Sequence, residues 1–368
     1  MITAREKNGK YYIIAFAVLF VGVFIMSFGV GKYPIHPSEL LHVFVGKLMI
    51  ALQIWTNNVV LQIQTWTNGA ALQTWTNEVA PKTWTNEVEL VMFKIRMPRV
   101  VAGALIGAGL SAAGAAYQGL FRNPLVSPDV LGASSGAGFG AAIAIFMGMN
   151  YAIVSIFAFI CGLTAVSVAY IISTRVRRNQ TLGMVLAGIM ISSLFGSATS
   201  FIKLVADPNN VLPAITFWLM GSIAGVRESR LIWAAIPILA GLLILLILRW
   251  KLNLLAMGDD EARSMGVNTK AMRVIIVSSA TLITAACVAI SGLIGWVGLV
   301  IPHFARILVG YDYRVVLPVS MLMGASFMML VDDLARSIVT AEIPLGIITA
   351  FVGAPFFLYL ILDRGRQI

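Results

Sequence analysis

The chain has 368 residues, 59% of them hydrophobic and 11% charged, with a mean hydropathy of +0.90 and a formal net charge of +10. A soluble domain carries charge on roughly a quarter of its residues, so this composition excludes a soluble fold and argues against a nucleic-acid-binding surface. It predicts an all-α integral membrane protein, a single transmembrane domain over 1–368 embedded in lipid.

The first apolar run, about 11–30, follows Arg5, Lys7 and Lys10 and is near the ~20 residues that cross a bilayer. No small-residue cleavage site follows it, so it reads as a retained helix rather than a signal peptide. Further runs near 100–120, 128–148, 151–172, 182–204, 231–248, 274–294, 293–309, 315–335 and 345–362 bring the expectation to about ten spans, the pair around 293 being hard to separate. Cys161 and Cys287 both fall in such runs and read as small buried hydrophobes rather than a disulfide or metal pair. Alternating through the spans from a cytoplasmic N-terminus collects most of the 26 Lys and Arg on the inner side, among them Arg175, Arg177, Arg178, Arg249, Lys251 and Arg364. Both termini are therefore expected in the cytoplasm of a cell with this protein in its inner membrane, with 31–94 outside.

Within that outer stretch, Trp-Thr-Asn triplets begin at 55, 66, 75 and 84. A nine-residue step turns a helix by half a turn and flips a strand's face, so no single tryptophan stripe results. Pro81 also interrupts any long helix. Segment 46–91 reads as an expanded extracytoplasmic loop whose tryptophans rest at the membrane interface, or else as an added contact surface for a partner protein.

GALIGAGLSAAGAAYQG (103–119) and LGASSGAGFGAAIA (131–144) are saturated with small residues, the pattern of closely packed helices in lipid. The GxGxxG-like run at 132–140 follows no strand and no Walker motif exists, so ATP chemistry belongs to another polypeptide. Lys203, four residues before Asp207, either attracts an anionic cargo or reaches the outer interface. KLNLLAMGDDEARSMGVNTKAMR (251–273) is the longest inner polar segment. It suits two short helices with a break at Gly266, either as a docking element or as an amphipathic linker. His303, alone at a helix end, reads as a hydrogen-bonded structural group, and His36 and His42 have no ligand-type partners at useful spacing.

Three ordered blocks together resemble one family, the permease subunits of ABC importers for iron-siderophores, haem and vitamin B12, the larger type II importers. RMPRVVAGALIGAGLSAAGAAYQGLFRNPLVSPDVLGASSGAG (96–138) is similar to the family's RLPR and RNPL-x-x-P-x-x-LG-x-SSGA region. GLIGWVGLVIPHFARILVG (292–310) resembles its G-F-V-G-L-x-x-P-H-x-x-R signature, and AEIPLGIITAFVGAPFFLYLIL (341–362) its E-x-P-x-G-x-x-T ending.

The resemblance implies the type II importer permease fold. It further implies a homodimer of ten-helix subunits around a path lined partly by the fifth span, two cytoplasmic ATP-binding subunits that hold ATP and Mg, and an extracytoplasmic substrate-binding protein. No catalytic residue, cofactor or metal is expected on this chain. LAMGDDEARSMGV is similar to the family's coupling segment, which would place Gly258, Glu261, Ala262, Arg263 and Gly266 against the ATPase. Arg96, Arg99 and Arg336 match the positions that dock the binding protein through its glutamates; the other reading is that they snorkel and that Asp332 or Asp333 neutralises Arg336. Asn123 and Leu125 are carried over as a cytoplasmic gate, Gln180 and Thr181 as a second constriction, and Lys203 stays a pathway candidate. Molybdate or tungstate is the alternative cargo. An ion-coupled transporter is the alternative mechanism, for which paired acids or broken helices near mid-membrane would be needed. A membrane-embedded enzyme lacks its motifs here, since no H-E-x-x-H or Ser-Lys pair lies in a span.

Overall fold

The computed structural model describes residues 9–31, 85–175, 180–338 and 342–364, with 33, 35–36, 38–40, 42–47, 49–50, 52 and 55 between the first two segments. Its long apolar helices are α1 (Gly9–Gly29), α2 (Asn86–Leu120), α4 (Tyr151–Thr174), α5 (Gln180–Val205), α7 (Glu228–Met257), α9 (Thr269–Ser291) and α11 (Tyr313–Ser337). Three shorter ones, α3 (Ala133–Phe146), α10 (Val297–Val309) and α12 (Leu345–Arg364), complete the ten apolar runs in order, and α6 (Val211–Leu219) and α8 (Asp259–Ser264) join them. The tryptophan repeat lies outside the described residues except for Trp55, which is exposed, and the end of the last triplet. There Thr85 Oγ1 accepts from the Val88 N–H at 3.3 Å and caps α2, so residues 86–91 are already helical. Leu90–Arg96 is π-helical before α2 continues as α-helix.

Helix α2 is the axis of the bundle, buried along most of its length from Pro98 to Leu120. Its glycines explain this. A Cβ on Gly107 would overlap the Gly324 carbonyl of α11, and one on Gly114 would overlap the Gly298 carbonyl of α10. A Cβ on Gly136 or Gly140 of α3 would likewise overlap the Cys161 or Phe157 carbonyl of α4. Lipid offers no hydrophobic drive between helices, so backbone contact of this kind supplies the association.

Two helices start inside the bundle. Helix α3 follows a 3-10 turn, Pro128–Leu131, and a left-handed Gly132, while α10 follows the non-helical 292–296, where Trp296 has φ 71°. With 14 and 13 residues they are about 20 Å long, short of a ~30 Å hydrocarbon core. Irregular backbone at that depth survives only where protein covers it. Here the two breaks cover each other, since Gly298 lies against the Pro128 ring. Gln118 Nε2 then donates to the Val126 carbonyl at 3.1 Å and the Leu299 carbonyl at 3.2 Å. A third crossing seats α12, where Leu345 and Gly346 donate to the Gly221 and Met220 carbonyls at 2.8 and 3.1 Å.

Gly114→Val should therefore lower the thermal midpoint of the detergent-solubilised chain by the equivalent of about 1–3 kcal/mol or more, as overpacking does. Gly22→Val, at a position where a Cβ meets nothing within 4 Å, should leave it unchanged. Size-exclusion monodispersity against temperature measures both.

Candidate functional site

Helices α1, α2 and α11 bring an ionic cluster together at one end of the bundle. Arg96, Arg99 and Arg336 are all buried there, as are Asp332 and Asp333. Arg99 Nε donates to Asp332 at 2.7 Å and Arg99 Nη1 to Glu342 at 2.7 Å. Arg336 pairs with Asp333, lies 3.6 Å from Asp332, and donates to the Ser27 carbonyl at 2.6 Å. Arg96 donates to the Phe28 and Tyr33 carbonyls, and Ser27 Oγ donates to Asp333 at 2.8 Å. The Asp332/Asp333 pairing with Arg336 foreseen from helical spacing is thus present and extends to Arg99. Three guanidiniums meet three carboxylates, and Glu342, about a third exposed, forms the rim.

The opposite end carries the 251–273 segment. The first of its two expected helices is not separate: with no glycine or proline between Gly241 and Gly258, the Leu252 to Met257 turns continue α7 and bury Leu252, Leu254 and Leu255. Gly258, at φ 151°, makes the corner, because a Cβ there would strike the Glu261 carboxylate. Helix α8 then ends in a Schellman arrangement, with Val267 N–H donating to the Ala262 carbonyl at 3.0 Å, Gly266 N–H to Arg263 at 2.9 Å, and Gly266 left-handed at φ 80°. Ala262 is fully buried, while Glu261, Arg263, Met257 and Met265 face outward. Buried Arg273 clamps the base of α8 through Asp259 at 2.9 Å.

Beside this segment lies a cavity of about 830 Å³, bordered by Arg122, Asn123, Asn253, His303, Arg306 and Arg314. Arg306 donates to Gln118 Oε1, linking the cavity wall to the residue that seals the helix breaks. Asp312 caps α11 by accepting from the Arg314 N–H at 2.9 Å and also takes Asn253 Nδ2 at 2.8 Å. Burial pushes the Asp312 carboxyl up, but hydrogen bonds from Arg314 and Asn253 and the Arg314 charge outweigh it and hold the group below the usual carboxylate range.

Helix α5 exposes a face of different character. Ser193, Gly196, Ser197 and Ser200 recur on it at helical spacing, flanked by exposed Leu194 and Phe201. The chain as a whole matches known transporters. Residues 18–363 match the FecCD transport family. The chain belongs to that family. It is 40% identical over 279 residues to a molybdate import permease of Haemophilus influenzae, covering 75% of this chain and 83% of that one. It is 41% identical over 278 residues to a cobalamin import permease of Halobacterium salinarum, covering 75% and 74%. A solved inward-facing transporter of metal-chelate type superimposes with a TM-score of 0.79 at 33% identity, over 95% of this chain and 98% of that one.

This FecCD permease is therefore a transport component, of a family that works with ATPase and substrate-binding partners. Broken helices, associated above with ion-coupled transporters, are present as α3 and α10, yet the turn before α3 carries one carboxyl, Asp129, bonded by Ser134. Asn123 and Leu125 form a single tight turn, the Leu125 N–H donating to Asn123 Oδ1 at 2.9 Å after Arg122 at φ 51°. Gln180 and Thr181 start α5, their side chains outside the described residues. Lys203 is half-buried in the last turn of α5 and makes no ion pair with Asp207, which instead accepts from the Asn210 N–H at 2.8 Å. Both cysteines are free, Cys287 buried and Cys161 half-buried. Gln118 and the Arg273–Asp259 pair escaped the sequence reading, although a polar residue inside an apolar run was a visible signal for Gln118.

Removing Asp332 would leave two buried guanidiniums short of a partner, so Asp332→Asn should cost about 3–5 kcal/mol, read as a lowered thermal midpoint. Asp312 has a folded pKa below its unfolded value, so its contribution is present above about pH 4 and fades as pH falls through the folded pKa. Asp312→Asn should flatten the acid side of the thermal-midpoint profile.

Proposed function

We propose that this chain is the membrane-spanning permease of an ABC importer that carries a metal chelate, an iron-siderophore, haem or cobalamin, across the cytoplasmic membrane. It works as a homodimer with two cytoplasmic ATP-binding subunits, which hold ATP and Mg, and an extracytoplasmic binding protein. The α5 face carries this reading. A helix turned to lipid gains nothing from Ser193, Ser197 and Ser200, whereas a helix lining a wet path between two copies does. In this orientation the 251–273 segment and both termini are cytoplasmic and the arginine cluster faces out.

The exposed tip of α8, with Glu261 and Arg263 between two exposed methionines, is the contact for the ATPase. Arg96, Arg99 and Arg336 receive the binding protein by exchange: its glutamates take over guanidiniums now held by Glu342, Asp332 and Asp333. Asn123 and Leu125, with Gln180 and Thr181, narrow the inner exit, and Lys203 at the outer end of the α5 face meets negative groups on the cargo. An oxyanion such as molybdate is the second reading, favoured by the relative named for molybdate import.

Reconstitution into proteoliposomes with the ATPase and binding protein should give ATP-dependent accumulation of a metal chelate. Molybdate uptake without chelate uptake establishes the second reading, and uptake driven by an ion gradient without ATP removes both. Ser197→Trp should abolish uptake while the ATPase still associates. Glu261→Ala with Arg263→Ala should weaken ATPase association or uncouple hydrolysis from uptake at unchanged thermal stability. Normal uptake in that double variant takes α8 out of the mechanism.

A further inference from the structure

Helices α4 and α7 both pack on α9 and leave a furrow between them. Two hollows of about 410 Å³ each lie along it, one bordered by Ala152 to Phe159 of α4 and the other by Leu163 to Ile171. From residue 152 to 171 the furrow runs about 28 Å, close to the hydrocarbon thickness of a bilayer. Small residues make it: Ala286 and Ala289 floor the hollow nearer the arginine end, and Pro237 sits in its α7 wall. Its lips, Ile156 and Trp233, are 54% and 76% exposed, so the furrow opens outward from the bundle.

At its mouth lies a cation that no described carboxylate neutralises. Arg230 rests over the Tyr151 ring at 4.2 Å and reaches the Gly225 carbonyl only at 3.4 Å, and among the described residues no carboxylate pairs with it. Its neighbour Glu228 pairs instead with Lys94 at 3.7 Å. One turn below Tyr151, Ser155 lines the same hollow, and its buried hydroxyl has no hydrogen-bond partner among the described residues. A guanidinium at an aromatic-ringed rim, an unbonded hydroxyl one turn deeper and an apolar trough beyond match the order of groups in a phospholipid: phosphate, ester, acyl chain.

We propose that this furrow is a phospholipid site, with the phosphate diester on Arg230 and an acyl chain in the hollow floored by Ala286 and Ala289. The site needs only that the chain spans a bilayer and is independent of the cargo. Its occupant is a lipid rather than a free anion because the charge tops a trough that only an apolar chain fills.

The test is native mass spectrometry of the full-length chain, delipidated in detergent and titrated with phosphatidylglycerol. The wild type should retain one lipid per chain. Arg230→Gln should weaken retention about tenfold, the loss of roughly one hydrogen bond to a charged group. Ala289→Phe, which fills the hollow and keeps the arginine, should weaken it comparably, and Arg227→Ala should not. Both variants are compared at equal monodispersity and thermal midpoint. Unchanged retention in Arg230→Gln overturns the proposal, as does unchanged retention in Ala289→Phe. Displacement of the lipid by millimolar inorganic phosphate would make this a free-anion site and overturn it as well.

Discussion

Hydrocarbon offers no hydrogen bonds, so each backbone N–H and C=O at membrane depth must find its partner inside the protein. Two of the ten apolar helices among the described residues begin part-way through the bundle, their irregular starts are pressed together, and Gln118 donates to the Val126 carbonyl beside one break and to the Leu299 carbonyl in the first turn after the other. The glycines of α2 follow from the same need. A side chain at 107 would hold α11 away, and one at 114 would hold away the start of α10, where its break lies.

The two ends use charge differently. At the arginine end, guanidiniums and carboxylates are buried together and balanced, an arrangement whose value lies less in net stability than in what its disruption costs. Glu342, about a third exposed, is the carboxylate of this cluster that lies at its rim, where the proposed exchange with a partner's carboxylates would begin. At the other end the charges of α8 point outward while Arg273–Asp259 and the Asp312 hub lock its base. In the proposed coupling, a stiff base under an exposed tip would carry a push from below into α7 and α11. Gln118 and Arg306 connect that end to the helix breaks.

The outward faces divide likewise. Serines on α5 belong against water or a second copy, whereas the furrow between α4 and α7 presents aliphatic walls with one cation at the rim. The proposed path and the proposed lipid seat thus occupy different faces of one bundle.

The sequence by itself placed the apolar runs in order and put their number near ten, because twenty-residue runs and their separators are local properties. It also showed the close-packed stretches, because glycine and alanine leave a compositional trace, and three motif blocks carried the family. Where α3 and α10 begin was not legible: 128–148 and 293–309 are each predominantly apolar runs despite Pro128, Asp129 and Arg306, and only the fold decides that Gly132 and Trp296 break them inside the protein. Nor was the state of the arginines. Spacing allowed Asp333 to reach Arg336, but Arg99 meeting Asp332 and Glu342 joins residues more than two hundred positions apart, and charge pairing across helices is settled by which faces pack together. The continuation of α7 to Met257 was decided the same way, by burial of Leu252, Leu254 and Leu255 against a core that no local pattern reveals.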